Sequence, residues 1–190
     1  NVLVCHRRFG KTVCMINHLI RSALLSKLSN PRFAYIAPTF KQAKSIAWDY
    51  MKQFTAKIPH TKFNETELRV DLPNGSRITL LGSESPDGLR GIYLDGCVID
   101  EYANVNSKLF PEIIRPALSD RKGYCVFIGT PMGMNNNFYE LYQHAQGAED
   151  WFNYKAKASD TKIVDDDELV KAKEVMGEKK YNQEFECDWI

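Results

Sequence analysis

Short apolar runs alternating with stretches of helical period constrain this chain more than any other feature. The runs are Val2-Leu3-Val4-Cys5, Phe33-Ala34-Tyr35-Ile36-Ala37, Gly96-Cys97-Val98-Ile99 and Tyr124-Cys125-Val126-Phe127-Ile128. Each is too short for a helix and apolar at successive positions, the pattern of a strand covered on both faces of a sheet. Over residues 12–28, Val13, Ile16, Ile20 and Leu24 recur at helical spacing; over residues 39–55, Phe40, Ala43, Ala47, Tyr50 and Phe54 do the same. A further helix is expected at about 107–115, ended by Pro116. Residues 67–72 and 76–81 flank Pro73-Asn74-Gly75, a hairpin signal. From residue 135 the chain reads as mainly helical, with a strand-like stretch near 151–157. Asp165-Asp166-Asp167-Glu168 opens one of these helices, Lys171 and Lys173 follow and Gly177 closes it, so the charges complement the helix dipole. Four consecutive acids would also suit a metal ion. The expected fold is α/β, with a mainly parallel central sheet, an inserted β-hairpin and a C-terminal helical region.

A net charge of +1 excludes a chain that coats nucleic acid or anionic membrane with its whole surface, so any such contact is local. No apolar run approaches a membrane span, and the start lacks a signal-peptide pattern. The five cysteines, Cys5, Cys14, Cys97, Cys125 and Cys187, form no close pair in sequence; they read as buried free thiols of a reducing compartment rather than a zinc site. The 190 residues suit one domain. The chain opens with Asn1 directly before an apolar run and stops at Asp188-Trp189-Ile190, which reads as a piece of a longer protein.

The local signal with most chemical content is Cys5-His6-Arg7-Arg8-Phe9-Gly10-Lys11-Thr12, which follows a strand and opens a helix. In such a loop, backbone N–H groups and a helix N-terminus converge on phosphate. Lys11 would reach the β- and γ-phosphates and the Thr12 hydroxyl would hold Mg²⁺. Cys5 stands where the usual first glycine would be. The run 96–99 ends in Asp100-Glu101: Asp100 suits Mg²⁺, and Glu101 suits orienting and deprotonating an attacking water. Phe127-Ile128-Gly129-Thr130-Pro131 is a third strand closed by a small hydroxyl residue, and a strand lying between the other two would put Thr130 near the γ-phosphate.

The ordered set of Arg7 to Thr12, Ala37-Pro38-Thr39, Asp100-Glu101 and Gly129-Thr130-Pro131 resembles the ATPase domain of the large terminase subunit, the motor that packages DNA into tailed-phage and herpesvirus-type capsids. The resemblance continues through Pro131-Met132-Gly133-Met134-Asn135 and Phe138-Tyr139-Glu140-Leu141-Tyr142 to Tyr181-Asn182-Gln183-Glu184-Phe185-Glu186. It implies a P-loop NTPase fold of the ASCE, RecA-like class, with residues 1–150 as ATPase core and 151–190 as a lid and linker. It also implies ATP and Mg²⁺ as cofactors, with a nucleotide-binding loop of Arg7, Arg8, Phe9, Gly10, Lys11 and Thr12. Val98-Ile99-Asp100-Glu101 matches the Walker B segment, with Thr12 and Asp100 as metal ligands. Gly129-Thr130-Pro131 matches the coupling motif. Double-stranded DNA, a homo-oligomeric ring on a portal protein and a small terminase subunit are the implied partners, without a membrane. The implied location is the host cytoplasm, docked on the procapsid portal. Adenine-contacting residues would precede Val2 and an RNase H-like nuclease domain would follow Ile190, so this stretch should hydrolyse ATP without cutting DNA.

Arg90, within Gly88-Leu89-Arg90-Gly91, matches the family's candidate arginine finger acting in trans, with Arg7 as its partner in cis. A glycine-flanked arginine is mobile and poorly placed for packing, as a finger requires. For contacts to DNA phosphates, Arg77, Arg121, Lys122, Lys155 and Lys157 are basic candidates, each better read singly as a solvated charge. His6, His18, His60 and His144 show no ligand spacing, and Trp48, Trp151 and Trp189 read as packing residues. Two other functions fit the same residues: a helicase-like or other DNA-translocating ATPase, and a nucleotide-binding assembly module without turnover. Glu101 disfavours the second, because a pure binder does not need it.

Overall fold

The structure, a computed structural model, describes residues 1–190. It contains two compact units, one of residues 1–11, 101–103 and 126–190, the other of residues 12–100 and 104–125. In the second unit, strand β2 (Arg32–Ala37) lies between β5 (Arg77–Gly82) and β6 (Gly96–Ile99), parallel to both. Strands β4 (Arg69–Asp71) and β3 (Lys62–Asn64) extend it antiparallel beyond β5, giving the order β3-β4-β5-β2-β6. Residues 33–37 and 96–99 are buried throughout, which is why those segments read as continuous apolar runs.

The expected hairpin is present as β4 and β5. Its turn closes through Leu72 N–H to Ser76 O (2.8 Å) and Gly75 N–H to Leu72 O (3.1 Å), with Gly75 at φ +87°. The third strand, β3, was not expected. It has a single apolar residue, Phe63, which is 39% exposed on an edge, so no alternation marks it.

Helix α1 (Lys11–Leu25) buries Ile16, Leu19, Ile20 and Ala23 but leaves Leu24 exposed. The expected helix over 39–55 is α2 (Phe40–Ala43), a π-helical turn over Lys44–Trp48, and α3 (Asp49–Thr55). Pro116 does not end its helix. A π-helical segment (Leu109–Ile114) runs into α4 (Arg115–Ser119), with Pro116 in the first turn of the latter. Widening the turn ahead of proline relieves the clash of its ring with the carbonyl four residues back, so the helix continues.

In the first unit, β1 (Val2–Cys5) lies between β7 (Tyr124–Gly129) and β8 (Asn153–Ala156), again parallel to both. The first two residues of β7 belong to the second unit, where Tyr124 N–H donates to Asp95 O (3.2 Å) just ahead of β6. Helix α5 (Asn137–Gly147) is capped by the Asn136 side chain, which accepts from Phe138 N–H and Tyr139 N–H. The rings of Phe138, Tyr139 and Tyr142 pack on Trp189. Helices α6 (Ala158–Thr161), α7 (Asp166–Met176) and α8 (Glu178–Glu184) close around Ala158, Leu169 and Phe185. The acidic run opens α7, its dipole-matching place. No helix is long and apolar enough to cross a membrane.

The thiols are free, with Cys5, Cys97 and Cys187 buried and Cys14 exposed. Cys97 Sγ and Cys125 Sγ come within 3.4 Å, a proximity that sequence spacing did not indicate. Burial raises the Cys125 thiol well above its ordinary value and pushes Cys187 up to about 12, so both stay protonated and unreactive near neutrality.

Candidate functional site

The loop after β1 is built from positive-φ positions, Arg8 at +64° and Gly10 at +87°. Such residues curl the main chain so that successive N–H groups face one concavity. Arg7 N–H donates to Glu184 O (2.8 Å) and Phe9 N–H to His6 O (3.3 Å), whereas the N–H groups of Arg8, Gly10 and Lys11 bond to nothing in the chain. A cluster of unpaired donors ahead of a helix is what an anion requires. At the head of α1, Lys11 Nζ donates to Thr130 Oγ1 (3.3 Å), whose hydroxyl donates to Cys5 O (3.1 Å). The end of β7 is thereby tied to the end of β1, the strand it pairs with. A side chain at Gly129 would come within 2.9 Å of the buried Phe138 ring, which restricts that position to glycine. Pro131, next in the motif, is buried.

Strand β8 and helices α6 and α8 hold the same loop through His6 and Arg7. His6 N–H donates to Ala156 O (3.0 Å), extending the β8 ladder into the loop. The His6 ring is buried: Nδ1 donates to Arg7 O (2.7 Å), which leaves Nε2 to accept from the Thr161 hydroxyl (2.8 Å). Arg7 lies 3.9 Å from the Glu184 carboxylate with its guanidinium exposed, and Lys180 also pairs with Glu184 at 2.8 Å. Sequence spacing gave no sign of the His6–Thr161 and Arg7–Glu184 pairings, whose members lie more than 150 residues apart.

In the second unit, Thr12 Oγ1 donates to Asp100 Oδ2 at 2.8 Å. Asp100 is 1% exposed and its N–H donates to Ile36 O (2.8 Å), which fixes the chain as it leaves β6. The register pairs Tyr35 with Val98, and side chains two apart share a face, so Asp100 lies on the side of Tyr35. The Tyr35 hydroxyl donates to the same Asp100 Oδ2 at 2.5 Å. Tyr35 escaped the sequence reading; the signal available was a polar-tipped ring inside an otherwise apolar strand. Glu101, in the first unit, follows with φ +50°. That left-handed value costs a non-glycine residue roughly 1–3 kcal/mol and redirects the chain sharply after Asp100.

Arg90 is exposed and held by two carboxylates, Asp87 (2.9 Å) and Glu112 (3.1 Å). The Asp87 hydrogen bond and charge, then those of Glu112, raise its pKa further. Among the basic candidates, Arg77 pairs with Asp71 at 2.6 Å. Arg121 pairs with buried Asp95 at 2.8 Å and lies over the Tyr93 ring, which ties it to the fold. Lys122 occupies a turn at φ +52°. Lys155 lies in β8, and Lys157 precedes α6.

Residues 4–190 match the family described as terminase large subunit, T4-like virus type, N-terminal. The chain is 30% identical over 126 residues to the terminase large subunit of Thermus phage G20c, a stretch covering 56% of this chain and 26% of that protein. It superposes on the large terminase ATPase domain of Thermus phage P74-26 with a TM-score of 0.81 at 21% identity, covering 100% of this chain and 88% of the other. It also superposes on the large terminase of a thermophilic bacteriophage in complex with ADP, with a TM-score of 0.82 at 16% identity over 99% of this chain and 48% of the other.

Proposed function

From a chain that belongs to the terminase large-subunit N-terminal family, we propose an ATP-hydrolysing motor domain that drives double-stranded DNA into a procapsid. The observation that carries this reading is the 2.8 Å bond between Thr12 and Asp100, residues that a phosphate loop and a strand-end acid contribute separately to one divalent-cation site. A hydroxyl and a carboxylate oxygen at hydrogen-bond distance are hard donors suited to Mg²⁺. Held by Thr12 and Asp100, Mg²⁺ would supply positive charge to offset the negative charge of the phosphates.

The chain's own groups take the following roles. The N–H groups of Arg8, Gly10 and Lys11 cradle phosphate, and the Lys11 ammonium exchanges Thr130 for a phosphate oxygen. Glu101 orients and deprotonates water, and Arg7 stabilises charge within its own subunit. Residues 1–150 serve as the ATPase core and the helices of 151–190 as its lid. Thr130, bonded to both Lys11 and Cys5, is placed to register loss of the γ-phosphate. In the whole subunit, Thr130→Val is expected to lower ATP hydrolysis modestly and DNA movement far more. Equal losses in the two assays would make the hydroxyl purely structural.

Arg90 acts in trans, toward the nucleotide of a neighbour in a ring docked on the portal in the host cytoplasm. Its ion pairs with Asp87 and Glu112 are exposed, and water competes well for such pairs, so release toward a phosphate is easy. A finger of this kind supplies about 10³–10⁵ in rate. Whole subunits carrying Arg90→Ala, mixed on portal rings with subunits carrying Glu101→Gln, test it. Each variant alone is expected to be inactive, and mixed rings should regain ATP hydrolysis where an intact Glu101 faces a neighbour's intact Arg90. Mixed rings that stay inactive would remove Arg90 from the mechanism.

A further inference from the structure

We infer that Tyr35 is a positioning residue for the Asp100 carboxylate and so sets how much divalent cation the site needs, an inference that rests on the nucleotide-site reading above. Tyr35 is fully buried in the middle of β2, where packing alone would be served by phenylalanine. A buried phenol needs a partner, and this one donates at 2.5 Å to Asp100 Oδ2, the oxygen that already accepts from Thr12 at 2.8 Å. Two donors on one carboxylate oxygen fix rotation about the Asp100 side chain and settle the direction of Oδ1. The main chain at Asp100 is already anchored to Ile36, so the side-chain torsion is the freedom Tyr35 removes.

The hydrogen bond also supports charge. A buried carboxylate is tolerable only with donors around it, and Tyr35 supplies one that nucleotide binding does not disturb. Thr12 is different, because its oxygen lone pair must turn to the cation. Without Tyr35, Asp100 would lose its aim. Partners that orient metal ligands are worth about 10–100-fold in metal affinity.

The test uses a fluorescent ADP analogue bound to this chain, titrated with MgCl₂ and, separately, in EDTA. Tyr35→Phe removes one oxygen and keeps the ring. It should raise the Mg²⁺ concentration for half-maximal enhancement of binding by about 10–100-fold, with affinity in EDTA unchanged. In an Asp100→Asn background the same change should add nothing, because the residue it acts through no longer carries charge. An unaltered Mg²⁺ requirement overturns the inference. So does an equal loss with and without the Asp100→Asn change, or a loss of affinity in EDTA, since either assigns Tyr35 to packing. A parent chain that binds the analogue no better with Mg²⁺ would overturn the nucleotide-site reading itself, and the inference with it.

Discussion

Glu101→Gln is expected to leave ATP and Mg²⁺ bound while cutting phosphate release by about 10²–10⁴-fold, the contribution of a well-placed general base. Glutamine is nearly isosteric and still accepts a hydrogen bond, so the left-handed turn at residue 101 and the Asp100 pairings before it should persist. What it loses is the ability to take a proton from water. Single-turnover phosphate release, beside binding of a fluorescent ATP analogue, separates the two effects. Release at the parent rate would remove Glu101 from the chemistry and favour a module that binds nucleotide without turning it over.

Lys11→Ala should be as severe by a different route. The ammonium is the cationic side chain bonded to the strand-end hydroxyl Thr130, and its removal takes charge from where the β- and γ-phosphates are expected. Hydrogen bonds to charged groups contribute about 1.5–3 kcal/mol, so ATP affinity should fall about 10–100-fold and hydrolysis should become undetectable. The fold should survive, because Thr130 keeps its bond to Cys5 O. A melting curve matching the parent, beside lost ATP binding, is the expected result; retained affinity would refute the phosphate contact.

Glu101 stood out in the sequence because it sits where an apolar strand stops, and Lys11 because it opens a helix after a strand and a short loop. Cys5, Ile99 and Gly129 end buried strands, and the polar or charged residues after them break the apolar runs. The sheet class was legible for the same reason, since strands covered on both faces cannot alternate. Tyr35 was not, because its meaning depends on the pairing of β2 with β6, which brings residue 35 beside residue 100. The pairings of His6 with Thr161 and of Arg7 with Glu184 were invisible for the same reason of distance. The long helix continuing through Pro116 was missed because proline normally stops a helix, and only the π-helical turn before it permits otherwise. Arg90 reads as mobile in sequence but is held by two carboxylates in the folded chain.

The loop's dependence on a distant stretch of sequence has a consequence for how the protein matures on the ribosome. Strand β1 emerges well before its neighbour β8, and the loop's His6 and Arg7 amides bond to Ala156 and Glu184. Contacts so distant along the chain form late, after the entropy of closing a very long loop has been overcome. A nascent chain exposed only as far as residue 150 therefore carries Lys11 and Thr130 but lacks Ala156 O and Glu184 O, the main-chain acceptors that hold the loop. The main-chain bonds that hold the loop are complete only once β8 and α8 have emerged.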